Sequence, residues 1–183
     1  MTEYSLSDAL RNSDLLYSRA ELNVAIARMA RDVDASYQGV DTPLFITVMN
    51  GGLMLAGELA LNCRSGFQFD YVHATRYRGA TSGSGLEWVA RPRTSMRGRE
   101  VLLVDDILDE GRTLVPVRQW CLEQGATRVQ IAVLCEKLHD RRVPGIAAEF
   151  VGVSVPDRYV YGFGMDYHEL GRNLDGIHAL RDS

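Results

Sequence analysis

The chain has 183 residues, 46% of them hydrophobic, and its 24 acidic against 20 basic side chains leave a formal net charge of −4. That length suits one well-packed domain spanning 1–183, and the acidic balance offers no electrostatic footprint for non-specific nucleic-acid binding. No run of 18 uncharged apolar residues occurs, so no membrane span is expected. The opening stretch MTEYSLSDALRNSDLLYSRAEL carries charges throughout and lacks the apolar centre of a signal peptide. Cys63, Cys121 and Cys135 are odd in number and form no CxxC, which reads as reduced, mostly buried thiols in a cytoplasmic protein. His73, His139, His168 and His178 lie far apart, none at ligand spacing from a Cys or another His, so no structural zinc is expected.

In chain order, Ser18 with Glu21 makes a capping-box pattern, with Leu16 as an apolar lead-in. It predicts a helix from Arg19 to about Gln38, with Val24, Ile26, Ala27 and Ala30 on its apolar face. PLFITVMN, then Gly51-Gly52, then LMLAGELALN reads as strand, tight turn and helix across 43–62. FQFDYVHATRY alternates and is rich in aromatic and β-branched residues, which predicts a strand. RGATSGSG follows as a loop, and LEWVARP as a second strand ending at Pro92. REVLLVDD is a near-continuous apolar run, as in a strand covered on both faces. TLVPVRQWCLEQG predicts a helix with Pro116 in its first turn and Gly125 at its C-terminal end. RVQIAVLCEK and AEFVGVSV are two more strands, and the Gly- and Tyr-rich tail from Asp157 reads as irregular, closing on GIHAL. Strands alternating with helices predict an α/β fold with a parallel sheet.

The chemistry concentrates in VLLVDDILDEGRTL, Val101 to Leu114. Ligands of open α/β sheets bind beyond the carboxyl ends of the strands, and Asp105 and Asp106 close such a strand. Paired carboxylates accept hydrogen bonds from a vicinal diol such as ribose 2′- and 3′-hydroxyls, and they hold Mg²⁺. The segment from Asp109 to Thr113 precedes a helix, whose first turn presents free N–H groups and a dipole that favours an anion. One loop thus offers a diol grip beside a phosphate grip, and ribose 5-phosphate carries both groups. A phospho-accepting receiver domain also ends a strand in two acids. It places them near its start, however, with an acceptor Asp at a later strand end, where this chain has Glu136-Lys137. A solvated charge cluster without chemistry is the remaining plain reading.

At these residues the sequence resembles the type I phosphoribosyltransferases, and over roughly residues 14 to 175 it resembles the hypoxanthine-guanine phosphoribosyltransferases. VLLVDDILDEGRTL is similar to that family's signature for 5-phosphoribosyl 1-pyrophosphate (PRPP). VMNGGLML resembles its pyrophosphate loop, ATRYRGATSGSG its long catalytic loop, and EK with PDRYVYGFGMDYHELGRN its purine-binding region. The resemblance implies a central, mostly parallel sheet flanked by helices, with a small hood built from the terminal segments. It implies an enzyme that uses Mg²⁺, PRPP and 6-oxopurines to give IMP or GMP and pyrophosphate, assembled as a homodimer or homotetramer. A base such as xanthine or a pyrimidine on the same fold, and a nucleotide-sensing RNA-binding regulator, are the alternatives. The net charge and the intact Asp109 argue against the regulator.

Implied roles follow residue by residue. Asp105 and Asp106 would contact the ribose hydroxyls and organise Mg²⁺, with Asp166 approaching a second ion. Asp109 would face purine N7 as general base. The phosphate cradle would run from Asp109 through Glu110, Gly111, Arg112 and Thr113, mainly by backbone N–H. Lys137 would donate to the 6-oxo group, Tyr159 would stack on the base, and Val160 and Asp166 would line its other edge. Asn50, Gly51, Gly52 and Arg172 would hold pyrophosphate, with Tyr77 on the closing loop. Taken alone, Lys137 and Arg172 also read as solvated cations, Tyr159 as core and Asp166 as a turn cap. Trp88 and Trp120 read as packing residues.

Two positions depart from the family pattern. Asn50 stands where Lys is usual, which leaves the pyrophosphate contact to backbone N–H groups. Glu110 stands where a small hydroxyl residue is usual. A carboxylate aimed into a phosphate would repel it, so the Glu110 side chain is expected to point outward while its N–H serves. A cis peptide at Met49–Asn50 is a family feature.

Overall fold

The computed structural model describes residues 5–76 and 86–181. In chain order the elements are α1 (Leu6–Arg11), β1 (Ser13–Tyr17), α2 (Arg19–Ser36), β2 (Leu44–Met49), α3 (Leu53–Asn62), β3 (Gln68–Arg76) and β4 (Leu86–Ala90). They continue as β5 (Glu100–Leu108), α4 (Leu114–Glu123), β6 (Arg128–Lys137), β7 (Phe150–Val155), β8 (Val160–Tyr161) and β9 (Ile177–Leu180). A six-stranded sheet has the order β4-β3-β2-β5-β6-β7, parallel throughout except where β4 runs antiparallel to β3. A smaller antiparallel sheet, β1-β9-β8, joins the two ends of the chain into a hood.

The pleat of β5 shows how the layers form. Successive side chains of a strand point to opposite faces. Leu102 and Val104 enter the apolar layer shared with α2 and α3. Val101 and Leu103 enter the layer on the other face, which holds Leu114, Val117 and Cys121 of α4. All four strand residues are fully buried, and each such side chain stabilises the fold by roughly 1.5–3 kcal/mol. Val160, Phe163, Met165, Ile177 and Ala179 extend the first layer into the hood. Ser13 ties the hood together, its Oγ lying 2.7 Å from the Ala9 carbonyl and 2.9 Å from the Tyr161 hydroxyl.

The capping box of α2 is present: the Ser18 hydroxyl accepts from the Glu21 N–H, and the Glu21 carboxylate accepts from the Ser18 N–H. The helix face differs from the sequence expectation. Val24 is 73% exposed, and the buried stripe is Leu22, Ala25, Ile26, Met29, Ala30 and Val33. With Ile26 and Ala30 facing inward, the 3.6-residue period places 22, 29 and 33 beside them and turns 24 to the far side. The tail is more regular than expected, because β8 and β9 pair there, and β1 and α1 are further elements the pattern did not show. LEWVARP ends as a strand at Ala90, two residues before Pro92. Trp88 and Trp120 pack on each other with ring centroids 5.1 Å apart, as read.

All three cysteines are free, with Cys121 and Cys135 buried and Cys63 partly so. Burial pushes the Cys63 and Cys121 thiols up to about 12 and raises Cys135 as well. These are packing thiols, since the thiolate is the reactive form. Among the described residues no helix is long and apolar enough to cross a membrane.

Candidate active site

The acid pair sits where two strands part company. β2 pairs with β5 only through Val104, opposite Thr47, whereas β5 continues beside β6 to Leu108, opposite Glu136. Asp105 and Asp106 therefore do not end the strand, as the sequence suggested. They begin the part of β5 that β2 no longer covers. Asp105 is 8% exposed and Asp106 9%, and the Asp105 carboxylate accepts the Asp106 N–H at 2.9 Å. Burial pushes both carboxyls up, and the charge of Asp106 pushes Asp105 further, while the Arg172 guanidinium opposes both rises. Two buried neighbouring carboxylates call for positive charge or a proton.

The turn between β2 and α3 lies against this pair. The Met49–Asn50 peptide is cis. A Cβ on Gly51 would run into the Asp106 carboxylate, and one on Gly52 would lie 2.5 Å from the Val104 carbonyl oxygen. Only glycine lets the turn approach so closely. Gly164, at φ +106°, closes the same spot from the tail, where a Cβ would collide with the Gly51 carbonyl oxygen. Asn50 itself is exposed.

Residues 105–107 and 109–114 line one cleft of about 280 Å³. Gly111 turns the loop at φ +83°. The Thr113 side chain makes no capping bond to α4, so the first turn of the helix faces the cleft without a side-chain cap. The Glu110 carboxylate is paired with Arg112 and lies 3.8 Å from the Arg141 guanidinium. Its charge is thus met by two cations at the rim.

Asp109 is gripped from β6 and the segment beyond it. Lys137 Nζ donates to Oδ2 at 3.0 Å, and His139 Nε2 lies 2.6 Å from Oδ1. Burial works against the charge on Asp109, but hydrogen bonds from Lys137 and His139 outweigh it and hold the carboxyl below its ordinary value. His139 was not read as a site residue. The available signal was its two-residue spacing from Lys137, which places both on one side of the chain as β6 runs out.

A second cleft, of about 260 Å³, shares Asp105, Asp106 and Thr113 with the first and adds Met49 to Gly51, His73 and Arg172. The acid pair and Thr113 are thus common wall to both. His73 also escaped the sequence reading. It arrives because β3 runs parallel to β2 with His73 opposite Met49, a relation across strands that no local pattern carries. Arg172 donates to the Gly164 carbonyl at 2.8 Å and pairs with Asp166 at 2.8 Å. The other Asp166 oxygen accepts the Glu169 N–H at 2.9 Å, so the turn-cap role is present. Tyr159 is 45% exposed and stacks near-parallel on His168 at 6.3 Å between centroids. Val160 is 7% exposed, its side chain lying in the core, which leaves its backbone as the part able to face a ligand. Tyr77 lies outside the described residues.

Among the described residues no three or more His, Cys, Asp or Glu side chains gather as a metal site. Mg²⁺ does not require that. It binds through one or two carboxylates and completes its shell with water and substrate phosphates. Asp105 and Asp106 fit such an ion, being buried carboxylates short of positive charge.

Residues 13–168 match the phosphoribosyl transferase domain family. A hypoxanthine-guanine phosphoribosyltransferase of Streptococcus pneumoniae is 31% identical over 169 residues, 92% of this chain and 93% of the relative. Among solved structures, a hypoxanthine phosphoribosyltransferase from Staphylococcus aureus shares the fold at a TM-score of 0.87 and 24% identity, covering 99% of this chain and 97% of that one. A Trypanosoma cruzi hypoxanthine phosphoribosyl transferase gives 0.85 at 26% identity, over 92% and 91%. The family match and these likenesses over nearly the whole chain agree, and the chain belongs to the phosphoribosyltransferases, as an enzyme of the hypoxanthine-guanine phosphoribosyltransferase family.

Proposed function

We propose that this enzyme transfers the 5-phosphoribosyl group of PRPP to N9 of hypoxanthine or guanine with Mg²⁺, giving IMP or GMP and pyrophosphate. The observation that carries the reading is the Lys137–Asp109 pair, a donor and an acceptor 3.0 Å apart beside the phosphate loop. A 6-oxopurine offers the complement on adjacent positions, an acceptor at O6 and a proton at N7. Lysine only donates. It would therefore meet the amino group of adenine donor to donor, and an unpaired buried group costs roughly 1–3 kcal/mol.

The residues divide the work as follows. Backbone N–H groups from Asp109 to Thr113, with the first turn of α4, bind the 5′-phosphate. Asp105 and Asp106 take the ribose hydroxyls. The Asn50 to Gly52 turn and Arg172 take pyrophosphate, and Tyr159 stacks on the base. Asp105 and Asp106 would hold Mg²⁺, which would supply positive charge to the departing pyrophosphate. As N9 bonds to the anomeric carbon, the bond from that carbon to the pyrophosphate oxygen breaks. The transition state is oxocarbenium-like, as in other displacements at an anomeric carbon. Asp109 accepts the N7 proton. The Lys137 bond lowers its basicity in the free enzyme, and moving Lys137 to O6 restores basicity when the purine arrives.

The test is nucleotide formation from PRPP with hypoxanthine, guanine, xanthine, adenine or uracil, with Mg²⁺ and with excess chelator. Hypoxanthine or guanine should give product, adenine and uracil should not, and chelator should stop the reaction. Product from adenine or uracil alone, or full activity in chelator, would overturn the reading.

A further inference from the structure

We infer that His139 is a positioning residue for Asp109, donating from Nε2 as a neutral imidazole so that one carboxylate oxygen is tied down and the other is turned into the site. The inference rests on the proposed role of Asp109 as the base. The His139 side chain is 2% exposed, and its Nε2 lies 2.6 Å from Asp109 Oδ1. The opposite ring nitrogen decides the proton. Nδ1 accepts the backbone N–H of Arg141 at 3.1 Å. An amide N–H can only donate, so Nδ1 must present its lone pair, and the one ring proton of a neutral imidazole sits on Nε2.

That arrangement is itself held in place. The Arg141 guanidinium grips the Asp157 carboxylate through two bonds of 2.7 Å and reaches towards Glu110 at 3.8 Å. The N–H that selects the tautomer is therefore anchored from two further loops. Charged groups around the ring are Asp109, Lys137, Asp157 and Arg141. With Oδ1 fixed by His139, Oδ2 is left to Lys137 and then to the purine proton. A neutral donor orders the carboxylate without cancelling its charge, which a second cation in that place would do.

The experiment uses the full chain. Nitrogen-15 histidine NMR at neutral pH, with the His139 signal identified by its loss in His139→Gln, reads the tautomer directly. The Nε2-protonated neutral form is expected, and the Nδ1-protonated or doubly protonated form would overturn the inference. In kinetics, His139→Leu should lower kcat between about tenfold and a hundredfold, the loss of one hydrogen bond to a charged group, with KM for PRPP little changed. His139→Gln, which keeps a donor at similar reach, should recover most of the turnover. His139→Asn, with a shorter polar side chain, replaces His139→Leu if the latter folds poorly. Wild-type turnover in the Leu or Asn variant, or a Gln variant as impaired as they are, would sink the positioning role. An inactive wild type would instead overturn the proposed function, while the NMR result would still judge the Asp109–His139 arrangement.

Discussion

Asp109→Asn exchanges an acceptor with two charged oxygens for an amide with one acceptor and one donor end. Both oxygens of Asp109 are engaged, Oδ2 by Lys137 at 3.0 Å and Oδ1 by His139 at 2.6 Å. In the variant one of those donors must face an NH₂ group. Neither has easy recourse to water, since the Lys137 side chain is 12% exposed and that of His139 is 2% exposed. A sheltered hydrogen bond to a charged group contributes about 1.5–3 kcal/mol. Asp109 itself is 43% exposed, so screening brings the expected loss to about 1–2 kcal/mol. For a chain of this size that lowers Tm by about 2–8 °C.

The pH dependence has a definite sign. The Asp109 carboxyl is held below its ordinary value, so its stabilising contribution is present above the unfolded carboxylate value, near ~3.9. It is lost as pH falls through the folded value. The Tm gap between wild type and variant should be full at pH 7 and should narrow below about pH 4. In kinetics, removal of a general base should cost on the order of 10²–10⁴ in kcat. KM for PRPP should stay within a few-fold, because the proposed phosphate contacts are made by backbone N–H groups, which the substitution leaves in place. The assays are thermal unfolding at both pH values and initial rates with PRPP varied at saturating hypoxanthine. Equal losses in kcat and PRPP affinity would refute the general-base role, and a Tm gap independent of pH would refute the electrostatic account.

Lys137→Gln gives the 6-position of the base a partner that can donate or accept. The preference for hypoxanthine or guanine over adenine, measured as the ratio of kcat/KM values, should fall by roughly ten- to a hundredfold; an unchanged ratio would remove Lys137 from base selection. Gly164→Ala puts a methyl group against the Gly51 carbonyl oxygen and 3.3 Å from Asp106 Cβ, at φ +106°. The left-handed backbone alone costs roughly 1–2 kcal/mol, and with the clash the loss should reach about 2–4 kcal/mol. Circular dichroism melts should show a Tm fall of roughly 4–16 °C, and a melt like that of the wild type would show that the tail does not press on the turn as described.

Much of the fold was legible in the chain because it depends on short-range pattern. The near-continuous apolar run of β5, the capping box at Ser18 and Glu21, and Gly51-Gly52 before α3 each act within a few residues, and each appears where it was read. The loop from Asp109 to Thr113 was legible as a unit for the same reason: its residues adjoin in sequence and line one cleft. The α2 face was misjudged at Val24, because a run of small and apolar residues fits more than one stripe until a sheet chooses between them.

By itself, then, the sequence determined the mostly parallel sheet and the stretch that carries Asp105 to Thr113, since apolar runs, turn chemistry and helix starts are local physics. The tertiary structure decided what needs two distant segments. Parallel register brings His73 beside Met49, and the antiparallel pairing of β1 with β9 closes the hood. The segment after β6 folds back so that His139 reaches Asp109, 30 residues earlier in the chain. Even the strand end was settled in this way. Asp105 and Asp106 lie within β5, and they face the site because β2 stops pairing at Val104. A hydrogen bond across strands depends on register and packing, and neither is written in the residues on one side of it.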